Sequence, residues 1–210
     1  MKKAIITSVI LIVAAVGYSQ HLSVNAFGGY TFRDRVNFGQ GYAYLNAGGI
    51  WGVSVEGVNA QGSGLELLYQ YQSTRTPGYY NNGQPFVGAG GETNPSSIIS
   101  YLLLNGEQYF MNNPKIQPYA GIGLGAAFYK SNENGVNSAT KFAWDIKAGV
   151  KFKASNTVGI KIGAQLLGSA QATGTAFYVP PIGGVYPYTT YTTILQFSFT
   201  GGLVFDFGGH

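Results

Sequence analysis

Hydrophobic and polar positions alternate with a period of two through residues 193–207. The apolar set consists of Leu195, Phe197, Phe199, Leu203, Phe205 and Phe207, and the positions between them are mostly polar. This period belongs to a β-strand with one apolar and one polar face. The segment is longer than the roughly 5–6 residues of an ordinary globular strand, and about 9–11 tilted residues span the hydrocarbon core of a bilayer. The pattern predicts a membrane-spanning strand.

The same alternation recurs along the rest of the chain, between segments rich in Gly, Asn and Pro. The predicted strands are 22–32, 45–58, 64–75, 97–111, 115–130, 141–153, 158–166 and 193–207. Short links at 59–63, 112–114 and 154–156 alternate with long links at 33–44, 76–96, 131–140 and 169–190. Short periplasmic turns and long external loops are typical of bacterial outer-membrane barrels. We predict an all-β fold, an eight-stranded antiparallel up-and-down transmembrane β-barrel with both termini on the periplasmic side.

Composition helps to decide which face of the barrel is apolar. A soluble ligand-binding barrel of the lipocalin type would show the same alternation with its apolar face inward. Charged residues make up only 10% of the chain, against roughly 25% in soluble domains, which is too few to coat a water-exposed exterior. Aromatic residues also gather near the predicted strand ends, as in interfacial girdles. The membrane barrel is therefore favoured. The slight net charge of +4 does not indicate a nucleic-acid-binding surface.

The N-terminal segment has the form of a secretory signal peptide. Lys2 and Lys3 precede the apolar stretch 4–16, and Gly17-Tyr18-Ser19 places small residues before a cut at Gln20. The apolar stretch is shorter than the roughly 20 residues that a transmembrane helix needs. We predict a signal peptide at 1–19, an outer-membrane β-barrel domain at 20–210, and export to the outer membrane of a Gram-negative bacterium.

Two features carry a family resemblance. The run Pro118-Tyr119-x-Gly121-x-Gly123-x-Gly125 follows the turn at 112–114, and an aromatic strand lies near the C-terminus. Together they resemble the small outer-membrane β-barrel family that includes the OmpA transmembrane domain and the OmpX and OmpW types. The resemblance implies a monomer that contacts outer-membrane lipid and lipopolysaccharide. It also implies that the barrel assembly machinery reads Phe205 or Phe207 as the assembly signal.

Charged residues occur on the predicted inward face of several strands. They are Glu56, Glu66, Glu107, Asp145, Lys147, Lys151, Lys161 and Asp206. The interior of an eight-stranded barrel is just wide enough for side chains to fill it, and an unpaired buried charge is costly. We expect a paired polar core. The alternative is a small gated pore with a charged constriction.

Residue types used in catalysis and metal binding are scarce. The chain has no Cys, and its two His residues, His21 and His210, lie beside the termini. No Ser–His–Asp pattern or calcium loop is recognisable, so we expect no catalytic site, no metal site and no cofactor. The glycines of the 121–125 run lack the strand–turn–helix context of a nucleotide loop. They are interpreted as small inward residues that leave room for a bulky neighbour such as Tyr101.

The predicted external loops carry the remaining functional signal. The candidate binding residues are Arg33, Arg35, Tyr79, Tyr80, Phe177, Tyr178, Tyr186 and Tyr188. Tyr in a flexible polar loop offers contact area with a hydrogen-bonding tip, and Arg suits phosphates or an acidic partner. An equally good interpretation is that these Tyr and Arg side chains anchor the barrel at the membrane interface. The sequence thus predicts a non-enzymatic structural or surface-binding protein. Alternatives are a narrow porin-like channel for small or apolar solutes, or an accessory barrel of an envelope secretion or motility system.

Overall fold

A computed structural model describes residues 21–38, 41–87, 93–131, 138–170 and 193–207. These residues form eleven strands: β1 (His21–Thr31), β2 (Asp34–Phe38), β3 (Gly41–Leu45), β4 (Gly48–Val58), β5 (Ser63–Arg75), β6 (Gly78–Tyr80), β7 (Ser96–Tyr109), β8 (Ile116–Ser131), β9 (Ala139–Lys153), β10 (Val158–Ala170) and β11 (Thr193–Phe207). Within this part of the chain, no helix is long and apolar enough to cross a membrane.

Eight of these strands close into an antiparallel barrel in the order β1-β11-β10-β9-β8-β7-β5-β4. Strand β1 closes it, because Leu22 pairs with Phe207 of β11 on one side and with Gly57 of β4 on the other. A closed barrel pairs the backbone groups of every strand and leaves no open edge, as a sheet in hydrocarbon requires. The predicted fold is confirmed.

The remaining three strands form a second sheet that the sequence analysis missed. Strands β2, β3 and β6 pair in the order β2-β3-β6, inside the segments 33–44 and 76–96 that were interpreted as loops. We call this the external sheet. The predicted strand 45–58 was also wrong at its start, because Leu45 ends β3 and the barrel strand begins at Gly48. Strands of three to five residues contain too few alternations for a period of two to be recognised.

The barrel wall is apolar outside and largely polar inside. Outward side chains such as Phe199 remain 55% exposed, whereas the inward Gln70 and Gln196 are buried. This is the reverse of a soluble ligand-binding barrel, and it matches a barrel solvated by lipid. The run Leu102–Leu104, which looked irregular in the sequence, keeps the alternation, because Leu103 points inward and is fully buried.

The two ends of the barrel differ in their interior and their connections. Tight turns join β4 to β5, β7 to β8 and β9 to β10 at one end, called the turn end. In the first of them Gly62 has a φ of +85°, which favours glycine, and Asn59 Oδ1 accepts hydrogen bonds from the backbone of Gln61 and Ser63. The opposite, loop end carries the long connections and is external by the barrel pattern. Towards this end the interior is an apolar cluster that includes Leu45, Ile99, Tyr101, Leu103, Leu167 and Ile194.

Candidate functional site

Five charged side chains from five different strands meet inside the barrel. Lys147 of β9 forms ion pairs with Glu66 of β5 and Glu107 of β7. Lys161 of β10 lies 2.8 Å from Glu107 Oε2, 3.3 Å from Glu56 Oε2 and 3.8 Å from Glu66 Oε1. We call these residues the lumen cluster. Each ammonium group therefore contacts more than one carboxylate.

The other three charged residues of the predicted lumen set lie beside this cluster. Lys151 Nζ is 2.7 Å from Asp206 Oδ1, which also accepts a hydrogen bond from Ser23 Oγ at 2.5 Å. Asp145 Oδ2 accepts a hydrogen bond from Gln165 Nε2 at 2.7 Å. The structure thus places all eight predicted residues inside the barrel, seven in ion pairs and Asp145 against an amide.

Two tyrosines of the lumen were absent from the predicted set. The rings of Tyr109 and Tyr119 flank the ammonium group of Lys161, with centroids 5.4 Å and 4.4 Å from its Nζ. A cation over an aromatic face is stabilised by the negative charge of that face. Both tyrosines occupy inward positions of their strands, so the alternation could have indicated them. A cavity of about 40 Å³ borders this region, and its lining includes Lys161, Lys147 and Glu66.

The inward glycines of β8 make room for polar side chains. A Cβ on Gly123 would collide with Asn105 Oδ1 and Asp145 Oδ1, and one on Gly121 would collide with Glu107. Tyr101, the example of a bulky neighbour in the sequence analysis, is not among the nearest residues at these glycines. The Asn105 amide orientation follows from its hydrogen bond, Nδ2 to Glu66 Oε2 at 2.7 Å. Its Oδ1 therefore faces Asp145 Oδ1, and neither oxygen has a hydrogen-bond partner among the described protein atoms.

The external sheet presents arginines and tyrosines on one face. Arg33 lies over the ring of Tyr44, with 3.5 Å from its Cζ to the ring centroid, and Arg35 lies over Tyr42 at 4.1 Å. Tyr79 of β6 stacks on Tyr42, with centroids 5.4 Å apart and an interplanar angle of 24°. We call these five residues the Arg–Tyr face. Both arginines are exposed, and the three tyrosines are half-buried.

The opposite face of the external sheet is attached to the barrel. Val36, Ala43 and Leu45 are buried there. Asp34 connects the sheet to β11, because its Oδ2 accepts a hydrogen bond from the backbone N–H of Leu195 at 2.9 Å. The Asp34 Oδ1 accepts from the backbone N–H of Arg35 at 2.8 Å. These contacts hold the Arg–Tyr face in a fixed orientation.

The external binding candidates are only partly within the described residues. Arg33, Arg35 and Tyr79 belong to the Arg–Tyr face, whereas Tyr80 packs against Phe86 with centroids 3.9 Å apart. Four candidates lie outside the described residues: Phe177, Tyr178, Tyr186 and Tyr188. Sequence reasoning missed Tyr42 and Tyr44, because they lay at the boundary between a predicted loop and a predicted strand. Their spacing of two was the available signal.

A pair of hydroxyl groups lies on the lipid-facing wall. The Tyr69 hydroxyl of β5 donates a hydrogen bond to Ser100 Oγ of β7 at 3.3 Å. Ser100 is the fifth residue of β7 counted from the loop end. Trp51 packs beside the pair, against Tyr69 and Tyr71, at centroid distances of 6.2 Å and 5.3 Å. Aromatic residues of this kind are typical of a membrane interface.

The remaining sequence candidates that the structure describes are at the turn end. His21 begins β1 and pairs with Val58, while His210 lies outside the described residues. Phe205 and Phe207, the predicted assembly signal, face outward at the end of β11. In the described ranges, no group of three or more His, Cys, Asp and Glu side chains is arranged to hold a metal ion.

Solved structures share the fold of this chain at low sequence identity. Neisserial surface protein A is 11% identical, with a TM-score of 0.55, and the alignment covers 89% of this chain and 97% of that one. The outer membrane protein OprG from Pseudomonas aeruginosa is 12% identical, with a TM-score of 0.58 and coverage of 91% and 98%. No curated protein matches the chain by sequence. The structural matches show that the chain shares the fold of these two outer-membrane proteins.

The comparison with family models gives information about activity as well as about the fold. A sequence model of the family described as "Lipid A 3-O-deacylase (PagL)" matches residues 51–166, which is more than half of the chain. The prediction that the protein is not an enzyme is therefore wrong, because this family is named for an enzymatic activity. That prediction rested on the scarcity of His and the absence of Cys. The segment that matches the family model contains neither residue type. The chain belongs to the PagL family of outer-membrane β-barrels.

Proposed function

We propose that the protein removes an acyl chain from the glycolipid of the outer leaflet, as a deacylase of the lipid A class. Support comes from the family match, which extends from β4 into β10. Such a substrate lies in the membrane beside the barrel. The lumen cluster and the apolar cluster fill much of the interior. A lipid ester would therefore meet the outer wall rather than the lumen.

The observation that carries the proposed location is the hydrogen bond between Tyr69 and Ser100. Both residues lie on the outer wall within the matched segment, Ser100 as the fifth residue of β7 from the loop end and Tyr69 as the central residue of β5. Acyl esters of an outer-leaflet glycolipid lie where the head group meets the hydrocarbon. Trp51 and Tyr71 give the wall the aromatic character of that boundary beside the pair.

The chemistry of ester hydrolysis assigns roles to this pair. The matched segment has no His or Cys, so its nucleophile is drawn from hydroxyl groups. Ser100 Oγ attacks the ester carbonyl carbon, and the bond to the sugar oxygen breaks. The Tyr69 hydroxyl turns its hydrogen from Ser100 to the leaving sugar oxygen, and the phenol oxygen accepts the Ser100 proton as its own proton passes to that oxygen. Water then hydrolyses the acyl-serine, which releases the fatty acid and restores the Ser100 hydroxyl.

An assay on purified lipid A tests the proposal. The protein in mixed micelles should release the 3-O-linked fatty acid, detected by mass spectrometry of the lipid. Ser100→Ala should lower the rate at least about 100-fold, since removal of a nucleophile abolishes the covalent step. Tyr69→Phe should lower the deacylation rate by a similar factor. Ser73→Ala is the matched control, because Ser73 is an exposed residue of β5 paired with Ile98.

Two outcomes would contradict the proposal. Wild-type protein that folds and releases no fatty acid removes the deacylase assignment. Release that is as fast in Ser100→Ala as in Ser73→Ala leaves a deacylase but removes the site from the Tyr69–Ser100 pair.

A further inference from the structure

We infer that the Arg–Tyr face of the external sheet binds a phosphorylated saccharide. The face combines two exposed guanidinium groups with three half-buried phenol rings on a sheet outside the barrel. The inference rests on the proposed function only for the source of the saccharide, which would be the head group of the outer-leaflet glycolipid. Binding of the sugar and phosphate groups themselves requires no acyl chain.

The described part of the chain provides no carboxylate partner for the positive charge of this face. Within the described residues, neither Arg33 nor Arg35 forms an ion pair with a carboxylate. The adjacent carboxylate, Asp34, accepts backbone hydrogen bonds from Arg35 and Leu195 and faces the barrel contact. Two guanidinium groups on one face give a fork-shaped donor set that matches phosphate oxygens.

The orientation of the two arginines is fixed before any ligand arrives. Each guanidinium lies over a tyrosine ring, and Arg35 Nε also donates a hydrogen bond to Asn37 Oδ1 at 2.9 Å. A preorganised side chain loses less conformational freedom when it binds, which strengthens binding. The guanidinium edges, with their remaining N–H donors, stay open to solvent because both residues are exposed.

The tyrosines supply the surface for the sugar. Tyr42 and Tyr79 stack at 24°, and Tyr44 meets both rings edge-on, at 5.4 Å from Tyr42 and 6.0 Å from Tyr79. Rigid phenol rings provide apolar contact area and a hydroxyl tip at low entropic cost. A sugar ring offers an apolar C–H face and hydroxyl groups at its edge, so it matches both parts. A bare phosphate would use the arginines alone.

A titration with an acyl-free ligand tests the inference. The full-length protein would be held in phosphatidylcholine nanodiscs, and a phosphorylated glucosamine disaccharide would be titrated by calorimetry at low ionic strength. We expect saturable binding that weakens as salt is added, because exposed charges are screened. The unphosphorylated disaccharide and inorganic phosphate should each bind about tenfold or more weakly, since each lacks one half of the recognised group.

Variants locate the binding. Arg33→Gln and Arg35→Gln should each weaken the disaccharide about tenfold or more, and Tyr44→Leu should do the same, while Tyr44→Phe retains the ring and most of the affinity. Arg75→Gln is the matched control, because Arg75 is exposed at the loop end of β5 and outside the Arg–Tyr face. Folding of each variant is checked by the heat-induced shift in gel mobility.

The outcomes separate this inference from the proposed function. No binding of the phosphorylated disaccharide, or equal loss in Arg75→Gln and Arg35→Gln, would overturn it. Inorganic phosphate that binds as tightly as the disaccharide would reduce the face to a simple anion site and also overturn it. Because the probe contains no acyl ester, a failure of the deacylation assay leaves this measurement unaffected.

Discussion

Lys151 and Asp206 form an ion pair across strand β10, with 2.7 Å between Nζ and Oδ1. The ladder partner of Lys151 on β10 is another cation, Lys161, and Glu56 of β4 is likewise paired directly with Glu66 of β5. Like charges in directly opposed positions destabilise a sheet. The lumen offsets this repulsion through contacts that skip the neighbouring strand or cross the barrel, as Lys161 does with Glu56. Folding of the wall and pairing in the lumen therefore depend on each other.

Removing one charge of the Lys151–Asp206 pair should destabilise the barrel. Lys151→Met keeps most of the length of the side chain but leaves the Asp206 carboxylate without its cation, and a broken buried pair costs about 3–5 kcal/mol. The double variant with Asp206→Asn removes both charges and should recover most of this loss. Urea unfolding in liposomes, followed by the fluorescence of Trp51 and Trp144, measures the difference. A double variant as unstable as Lys151→Met would show that the lost ion pair does not cause the loss of stability.

Gly123 should not tolerate a side chain. Gly123→Ala places a methyl group against Asn105 Oδ1 and Asp145 Oδ1, so both buried side chains must move. Overpacking of this kind costs about 1–3 kcal/mol. Gly106→Ala is the control, because a Cβ there has no atom within 4 Å. The same unfolding measurement should show a loss for the first variant and little change for the second. Equal effects would mean that the two side chains over Gly123 relax freely.

Asp145→Asn should raise stability, although it removes a charge. The Asp145 Oδ1 faces the Asn105 Oδ1 with no donor between them among the described protein atoms. An asparagine can turn its Nδ2 towards Asn105 while its oxygen keeps the hydrogen bond from Gln165. One new buried hydrogen bond is worth about 1 kcal/mol. Asp145→Leu, which cannot donate, should lower stability, and a gain in both variants would contradict the explanation.

Sequence alone indicated the barrel strands well, because each strand is long enough to repeat the alternation several times. Strand β11 begins and ends where the pattern predicted. The inward charges followed from the same alternation, since a period of two places Lys147 and Lys151 on one face of β9. Their partners did not follow from it. Lys147 contacts Glu66 across the barrel, and that contact depends on the register of several strands.

The external sheet shows the limit of the same reasoning. Strand β6 has three residues, and its pairing with β3 brings together segments that are far apart in sequence. The cation–π contact of Arg33 with Tyr44 depends on this folding and has no local signature. The proposed catalytic pair was missed for a related reason, because a hydroxyl pair without His or Cys matches no recognisable catalytic motif. The Tyr69–Ser100 pair joins two ordinary wall positions on separate strands.

The depth of an outward residue should decide the cost of placing a charge there. Phe199 lies near the middle of β11 and is 55% exposed, whereas Leu195 is the third residue from the loop end. Phe199→Arg should destabilise the folded barrel by about 2–4 kcal/mol, and Leu195→Arg by only about 0–1 kcal/mol, because an arginine near the interface reaches water. Urea unfolding in liposomes compares the two variants. A larger loss for Leu195→Arg would contradict the proposed position of the membrane along the strands.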